Sequence, residues 1–150
     1  MKIQEFCSKH DVKEKTVKKW LQEELIPGAV YIAGEWVIPN SARVPYVEAR
    51  ARKPSAINFS ILRACYKRQH VLPKLYHLSE KEFACYIKGL LKADVIQSYE
   101  EDGVIYYSAT IKGESVLQGS KKGLDKLLES MEIVKNIGTI VVDVAEKLVG

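Results

Sequence analysis

The fold of the N-terminal part is decided by residues 14–39, which read EKTVKKWLQEELIPGAVYIAGEWVIP. In the first half of this stretch, Val17, Trp20 and Leu21 recur at the spacing of a single helix face, which continues to Leu25. Apolar residues at three- and four-residue intervals are typical of an amphipathic helix that packs one side on a core. We therefore expect a helix that begins with the quoted stretch and ends at Leu25.

The second half of the stretch predicts a β-hairpin. Ile26-Pro27-Gly28 stops the helix, since proline cannot continue it. Two short apolar runs follow at residues 29–32 and 35–38, and Ala33-Gly34 between them suits a tight turn. We therefore expect two short strands before Pro39.

A shorter helix precedes the quoted stretch. Ile3, Phe6 and Cys7 fall at helical spacing, and His10-Asp11-Val12 breaks the pattern before the next helix begins. The chain is therefore expected to begin with two short helices that share a tight turn, followed by the hairpin.

Three motifs in this order resemble the excisionase-like branch of the MerR superfamily: Thr16-Val17-Lys18-Lys19-Trp20, Ile26-Pro27-Gly28 and Gly34-Glu35-Trp36-Val37-Ile38-Pro39. The resemblance covers residues 1–46 and implies a winged helix-turn-helix. It also implies that the helix carrying Thr16 enters the major groove of DNA, with the hairpin as a wing against the backbone or minor groove. Trp20 and Trp36 are expected to be core residues.

Basic side chains cluster at and near the N-terminal half of the second helix. There, lysines and the free backbone N–H groups of the first helical turn can face phosphates together. The alternative is that the lysines form an ordinary solvated helix face. The candidate DNA-contacting residues of this helix are Lys13, Lys15, Thr16, Lys18 and Lys19.

Residues 47–55 form a basic segment without apolar periodicity, which predicts a linker between two patterned regions. Arg50, Arg52 and Lys53 could follow a DNA backbone between these regions. Equally, they could serve as a solubilising connector.

Residues 56–119 are expected to form a second winged-helix domain. Apolar spacing indicates three helices, and the last of them begins at Ser79-Glu80-Lys81-Glu82, which matches a capping box. Two alternating runs around the acidic turn at residues 100–103 predict a hairpin. This region resembles winged-helix domains of the MarR and PadR type. Lys81 and Lys88, on the helix before the hairpin, could face DNA; packing against a second subunit is the alternative.

Residues 120–150 carry an apolar stripe at spacings of three, four and seven, which predicts one amphipathic helix or two. Such a stripe must be covered by the same chain or by a second chain. We expect a homodimer through residues 120–149, because paired helices would hold two recognition helices at a fixed separation. The stripe consists of Leu124, Leu127, Leu128, Met131, Val134, Ile137, Val141, Val144 and Leu148.

Composition and charge narrow the class of protein. With 150 residues, 47% hydrophobic and 28% charged, the chain can bury one ordinary core or two small ones. The net charge of +4, most of it in residues 1–53, permits a polyanionic partner. Three cysteines without a CxxC pair favour a reducing compartment, and no signal region or long apolar run is present. We expect a cytoplasmic protein with no membrane contact.

The usual signatures of catalysis are missing from the sequence. The three histidines are isolated, and there is no Gly-rich phosphate loop, metal-spaced cluster or nucleophile elbow. We therefore expect no enzymatic activity, no metal and no cofactor.

Two functional hypotheses follow. The main one is a sequence-specific binder of double-stranded DNA, either a transcriptional regulator or an excisionase-like architectural factor of a mobile element. Its fold would be mainly α with small β-hairpin wings (α+β), as two tandem winged helix-turn-helix units and a C-terminal helical segment. The alternative is a protein–protein interaction adaptor that does not contact DNA, because Glu35 in one wing and the acidic tip of the other suit basic protein partners.

Overall fold

The computed structural model describes residues 1–47, 53–119 and 121–130. Within these ranges the chain is α+β, with six α-helices, one 3-10 turn and two antiparallel two-stranded hairpins. This confirms the expected class of a mainly helical chain with small hairpins. The helices are α1 (Ile3–His10), α2 (Glu14–Gln22), α3 (Pro54–Tyr66), α4 (Glu80–Lys92), α5 (Ile111–Gly119) and α6 (Lys121–Ser130). The strands are β1 (Val30–Ile32), β2 (Glu35–Val37), β3 (Ile96–Glu101) and β4 (Val104–Ala109), and the 3-10 turn is Pro73–Tyr76.

Helix α2 buries the predicted face but ends earlier than the sequence suggests. It ends at Gln22, and Glu24 then adopts the left-handed conformation with φ 58°. The Leu25 N–H donates to the Trp20 carbonyl at 2.8 Å, and the Glu24 N–H donates to the Leu21 carbonyl at 3.2 Å. This pair of hydrogen bonds is a Schellman cap, which folds Leu25 back onto the helix. Leu25 therefore belongs to the buried face without belonging to the helix.

Both predicted hairpins are present, and both turn through two left-handed residues. The first turn is Ala33-Gly34, with φ 51° and 82°, and the second is Asp102-Gly103, with φ 54° and 75°. Two consecutive positive φ values define a type I′ turn, whose twist matches that of the strands it joins. The register pairs Tyr31 with Trp36 in the first hairpin. In the second, the strands are longer than the sequence alone predicts.

The helices and hairpins enclose two apolar clusters. The first cluster joins α1, α2 and the residues around the first hairpin; its buried members are Phe6, Val17, Trp20, Leu21, Leu25, Ile26, Ile38 and Ala42. The second cluster joins α3, α4, the second hairpin and α6. Leu75 of the 3-10 turn packs against both clusters. The two clusters are therefore neighbours in one packed structure.

Helix α4 begins at the predicted capping box. The Ser79 hydroxyl oxygen accepts from the Glu82 N–H at 3.1 Å, and the Glu82 carboxylate accepts from the Ser79 N–H at 3.2 Å. This reciprocal pair satisfies two backbone donors that a helix start would otherwise leave free. No helix in the described ranges is long and apolar enough to cross a membrane.

Helix α6 packs on its own chain. Leu124 and Leu128 are fully buried in the second cluster, and α6 contacts both α3 and α5. The described part of the C-terminal apolar stripe is therefore covered within the chain and needs no second copy. The remainder of the stripe, in residues 131–150, lies outside the described residues.

Replacing Leu128 with alanine tests this packing. Loss of a fully buried leucine leaves a cavity, so the free energy of unfolding should fall by about 2–5 kcal/mol in urea titrations. The exposed Lys126, replaced by alanine, is the matched control and should change little. If Leu128 were instead buried between two copies, the loss would depend on protein concentration.

Candidate nucleic-acid interface

The exposed side of α2 carries the lysines singled out from the sequence. Lys15, Lys18 and Lys19 are exposed, and Thr16 is half-buried. Lys18 forms an ion pair with Glu14, with 3.1 Å between its Nζ and the carboxylate oxygen. No other ion pair involves α2 in the described ranges, so Lys15 and Lys19 keep their full charge for a partner.

The N-terminal end of α2 is open. Lys13 is the N-cap residue in extended conformation, and its side chain makes no capping hydrogen bond. Helix starts leave several backbone N–H groups without partners inside the helix, and the helix dipole adds positive potential there. Together with the adjacent lysines, this end of α2 can attract an anion.

A broad groove of about 1050 Å³ runs along α2. Lys15 and Lys19 line one part of it, while the apolar Leu25, Val47 and Leu75 line another. Glu14 and Glu23 also reach this groove. It therefore combines cationic and apolar surfaces on a rigidly packed helix.

A smaller groove of about 360 Å³ lies between α1, α2 and the first hairpin. Its lining includes Lys2, Lys18 and Glu35, and the rings of Tyr31 and Trp36, which meet edge-on at 5.4 Å. Trp36 is half-buried, less than the core position expected for it, whereas Trp20 is buried as expected. Because Glu35 faces this groove and Lys18 is already paired, its potential is less favourable for phosphate.

The first hairpin is apolar and exposed. Val30, Ile32 and Val37 are 46%, 56% and 46% exposed, and Tyr31 is 63% exposed. Neither strand carries a basic residue, and Glu35 is its one charged group. The hairpin thus presents an apolar surface beside the cationic helix.

The second hairpin holds the N-terminal part with its acidic tip. The Asp102 carboxylate accepts from the Ser41 N–H at 3.1 Å. Hydrogen bonding to the side chain of Ser41, and then to its backbone, lowers the pKa of Asp102. The Ser41 and Tyr106 hydroxyls are 2.8 Å apart. Val104 lies close to Gly28: a Cβ added to Gly28 would stand 2.6 Å from the Cγ2 methyl of Val104. The tip therefore contacts the N-terminal part of the same chain while its residues 101–103 stay exposed to solvent.

The guanidinium of Arg43 lies over two neighbouring tyrosine rings of the second hairpin, whose centres are 5.7 Å apart. Its guanidinium carbon is 5.3 Å from the centre of the Tyr99 ring and 4.9 Å from that of Tyr106. It also donates to the Tyr107 carbonyl at 3.0 Å. Burial lowers the pKa of Arg43, and the nearby charge of Arg68 lowers it further. The rings replace part of the solvation that the cation loses.

His70 completes this junction. Its ring Nε2 accepts from the Arg43 backbone N–H at 3.0 Å. The backbone N–H of His70 donates to the Val44 carbonyl, and the His70 carbonyl accepts from the Tyr46 N–H. Its ring stacks on Tyr106 at 5.4 Å. Burial, and then the charges of Arg43 and His10, lower the pKa of His70 to about 4. We call Ser41, Arg43, His70, Asp102 and Tyr106 the junction.

The remaining predicted site residues are scattered. Lys81 and Lys88 are exposed on α4, away from its buried residues, and Lys53 is the exposed N-cap of α3. Arg50 and Arg52 lie outside the described residues. No sequence pattern predicts the junction, because the hydrogen bonds that connect its segments join residues 27 to 65 positions apart.

The chain shows no match to known proteins: no family model, curated protein or solved structure resembles it closely enough to be matched. Cys7, Cys65 and Cys85 are free thiols. No group of three or more His, Cys, Asp or Glu residues within the described ranges could hold a metal ion. What the surface binds must therefore follow from its charge, exposure and shape.

The junction predicts a specific pH dependence of stability. Since the folded pKa of His70 is depressed below its ordinary 6.5, the folded state gains stability above pH 6.5 that is lost as pH falls through about 4. In His70→Gln, the amide oxygen can still accept from the Arg43 N–H but does not titrate. Between pH 7 and 4, the wild type should lose roughly 3 kcal/mol more unfolding free energy than the variant. Parallel pH profiles would contradict this role.

Proposed function

We propose that α2 and the groove along it bind double-stranded DNA. The observation that carries the proposal is the position of Lys15 and Lys19, exposed and without an ion-pair partner in the described ranges, on a helix whose other side is buried. A helix held this firmly can present cations in a fixed array to phosphates while its polar side chains reach base edges. Lys13, Thr16 and Lys18 would support the contact.

The order of elements supports an assignment as two tandem winged helix-turn-helix units. Helices α1 and α2 with the first hairpin form one unit, and α3, the 3-10 turn, α4 and the second hairpin form the other. The excisionase-like and MarR or PadR resemblances agree with this order. On this basis the protein would act in the cytoplasm, as a transcriptional regulator or an architectural factor of a mobile element. Neither role requires an enzymatic activity or a cofactor.

The wings would not serve DNA in the usual way. The second hairpin is engaged with Ser41 and carries acidic residues, and the first has Glu35 and no cation. Binding would therefore rest on helices rather than on wings. The exposed lysines of α4, Lys81 and Lys88, are a separate candidate surface. A homodimer through residues 120–149 remains part of the proposal. Because Leu124 and Leu128 of α6 are buried within the chain, they would not form its interface.

The test measures the binding of random-sequence duplex DNA by fluorescence anisotropy across a series of salt concentrations. Replacing Lys15 and Lys19 with alanine should weaken binding and reduce the slope of log K against log salt by about 2, since each phosphate contact releases counterions. The control is Lys81→Ala with Lys88→Ala, which changes net charge equally. An unchanged slope for the α2 variant would remove these lysines from the interface, and a reduced slope for the control would assign binding to α4.

The exposed first hairpin favours a second candidate, a protein-interaction adaptor. Four apolar side chains there are at least 46% exposed, and such surface commonly marks a protein contact. Glu35 would suit a basic partner. This candidate predicts that the wild-type protein does not bind duplex DNA even at low salt. The same titration therefore separates the two.

A further inference from the structure

The C-terminal end of α3 carries a cluster of exposed cations. Arg63 and Lys67 are one turn apart, Arg68 follows the helix, and all three are exposed. Within the part of the chain that the structure describes, none of them lies within ion-pair distance of a carboxylate. Cations at a helix C-terminus are stabilised by the helix dipole, but that effect alone requires no particular neighbours.

Aromatic surface accompanies these cations. Tyr66, between Arg63 and Lys67 in sequence, is 51% exposed. A shallow groove of about 330 Å³ between α3 and α5 is lined by Arg63, Tyr66 and Lys67, with Phe59 and a single carboxylate, Glu114. Clustered, exposed lysine and arginine side chains are the electrostatic footprint of contact with a nucleic-acid backbone.

This end of α3 is adjacent to the α2 groove. The Lys67 Nζ lies 5.9 Å from the centre of the Tyr46 ring. Val47, the next residue, lines the α2 groove together with Lys15 and Lys19. Lys67 and one edge of the α2 groove therefore both lie near residues 46 and 47.

We propose that Arg63 and Lys67, with Tyr66 between them, form a second contact for the phosphate backbone of the duplex that α2 binds. This inference rests on the proposed function and extends it from α2 to α3. The charge of a duplex is continuous, about one phosphate per 1.7 Å of helix axis, so a single duplex offers partners for both sets of cations. Arg68, close enough to lower the pKa of Arg43, adds to the positive potential at this end.

The experiment uses a double variant that combines Arg63→Gln and Lys67→Gln. Its binding to a duplex of roughly 20 base pairs is compared with that of the wild type in the same salt titration. Glutamine keeps part of each aliphatic stem and removes the charge. We expect the salt slope to fall by about 2, one for each lost phosphate contact. Arg63→Lys with Lys67→Arg keeps both charges and should keep the slope.

Lys112→Gln with Lys126→Gln is the matched control, because it removes two exposed charges from α5 and α6. An equal fall of the slope in this control would overturn the inference by showing a general effect of net charge. An unchanged slope for the α3 variant would also overturn it. If the Lys15 and Lys19 variant then still lowers the slope, the proposed function stands without this contact. If the α3 variant alone lowers it, binding belongs to α3, and both the α2 contact and the inference of a second contact beside it fall. A wild type that does not bind overturns both.

Discussion

The structure depends on one half-buried cation. The guanidinium of Arg43 lies over the neighbouring rings of Tyr99 and Tyr106, and the Arg43 backbone N–H donates to His70 Nε2. A guanidinium loses less on partial burial than an ammonium, because it is more weakly hydrated and can stack on aromatic rings. With the Asp102–Ser41 hydrogen bond, this contact connects the N-terminal part to the second hairpin. Residues 41–46 therefore set the relation between the two clusters.

This use of the second hairpin changes which surfaces remain for a partner. The tip of this hairpin accepts from Ser41, and its valine lies against Gly28, so the hairpin is held against the N-terminal part. Helix α2 is held by the first cluster, against which Leu75 of the 3-10 turn also packs. A helix that is fixed in this way loses little conformational entropy when it binds. On the proposed function, α2 would therefore meet a duplex as a preformed surface.

Local features were predictable from the sequence, and contacts between distant residues were not. The capping box at Ser79 and the two turns ending in Gly34 and Gly103 depend on residues a few positions apart, so local chemistry sets them. The end of α2 was missed because a glutamate, Glu24, occupies a left-handed position where glycine is usual. The junction was missed because its residues meet only after both clusters form. The lysines of α2 were located correctly as exposed, but nothing in the sequence placed Lys67 near them.

The position of the acidic residues shapes the electrostatic potential around α2 as much as the net charge does. Glu14 pairs with Lys18, whereas Asp102 and Glu82 keep their charge in hydrogen bonds away from the α2 grooves. Glu35 and Glu23 remain near α2, and Glu35 stands on the hairpin side. On the proposed function, a phosphate backbone near α2 would be repelled by Glu35 on the hairpin side and attracted by Lys15 and Lys19 in the groove that Val47 also lines. Tyr46, the residue before Val47, lies 5.9 Å from the Lys67 Nζ. The positions of the acidic residues would thus favour a path of the duplex from α2 toward the end of α3.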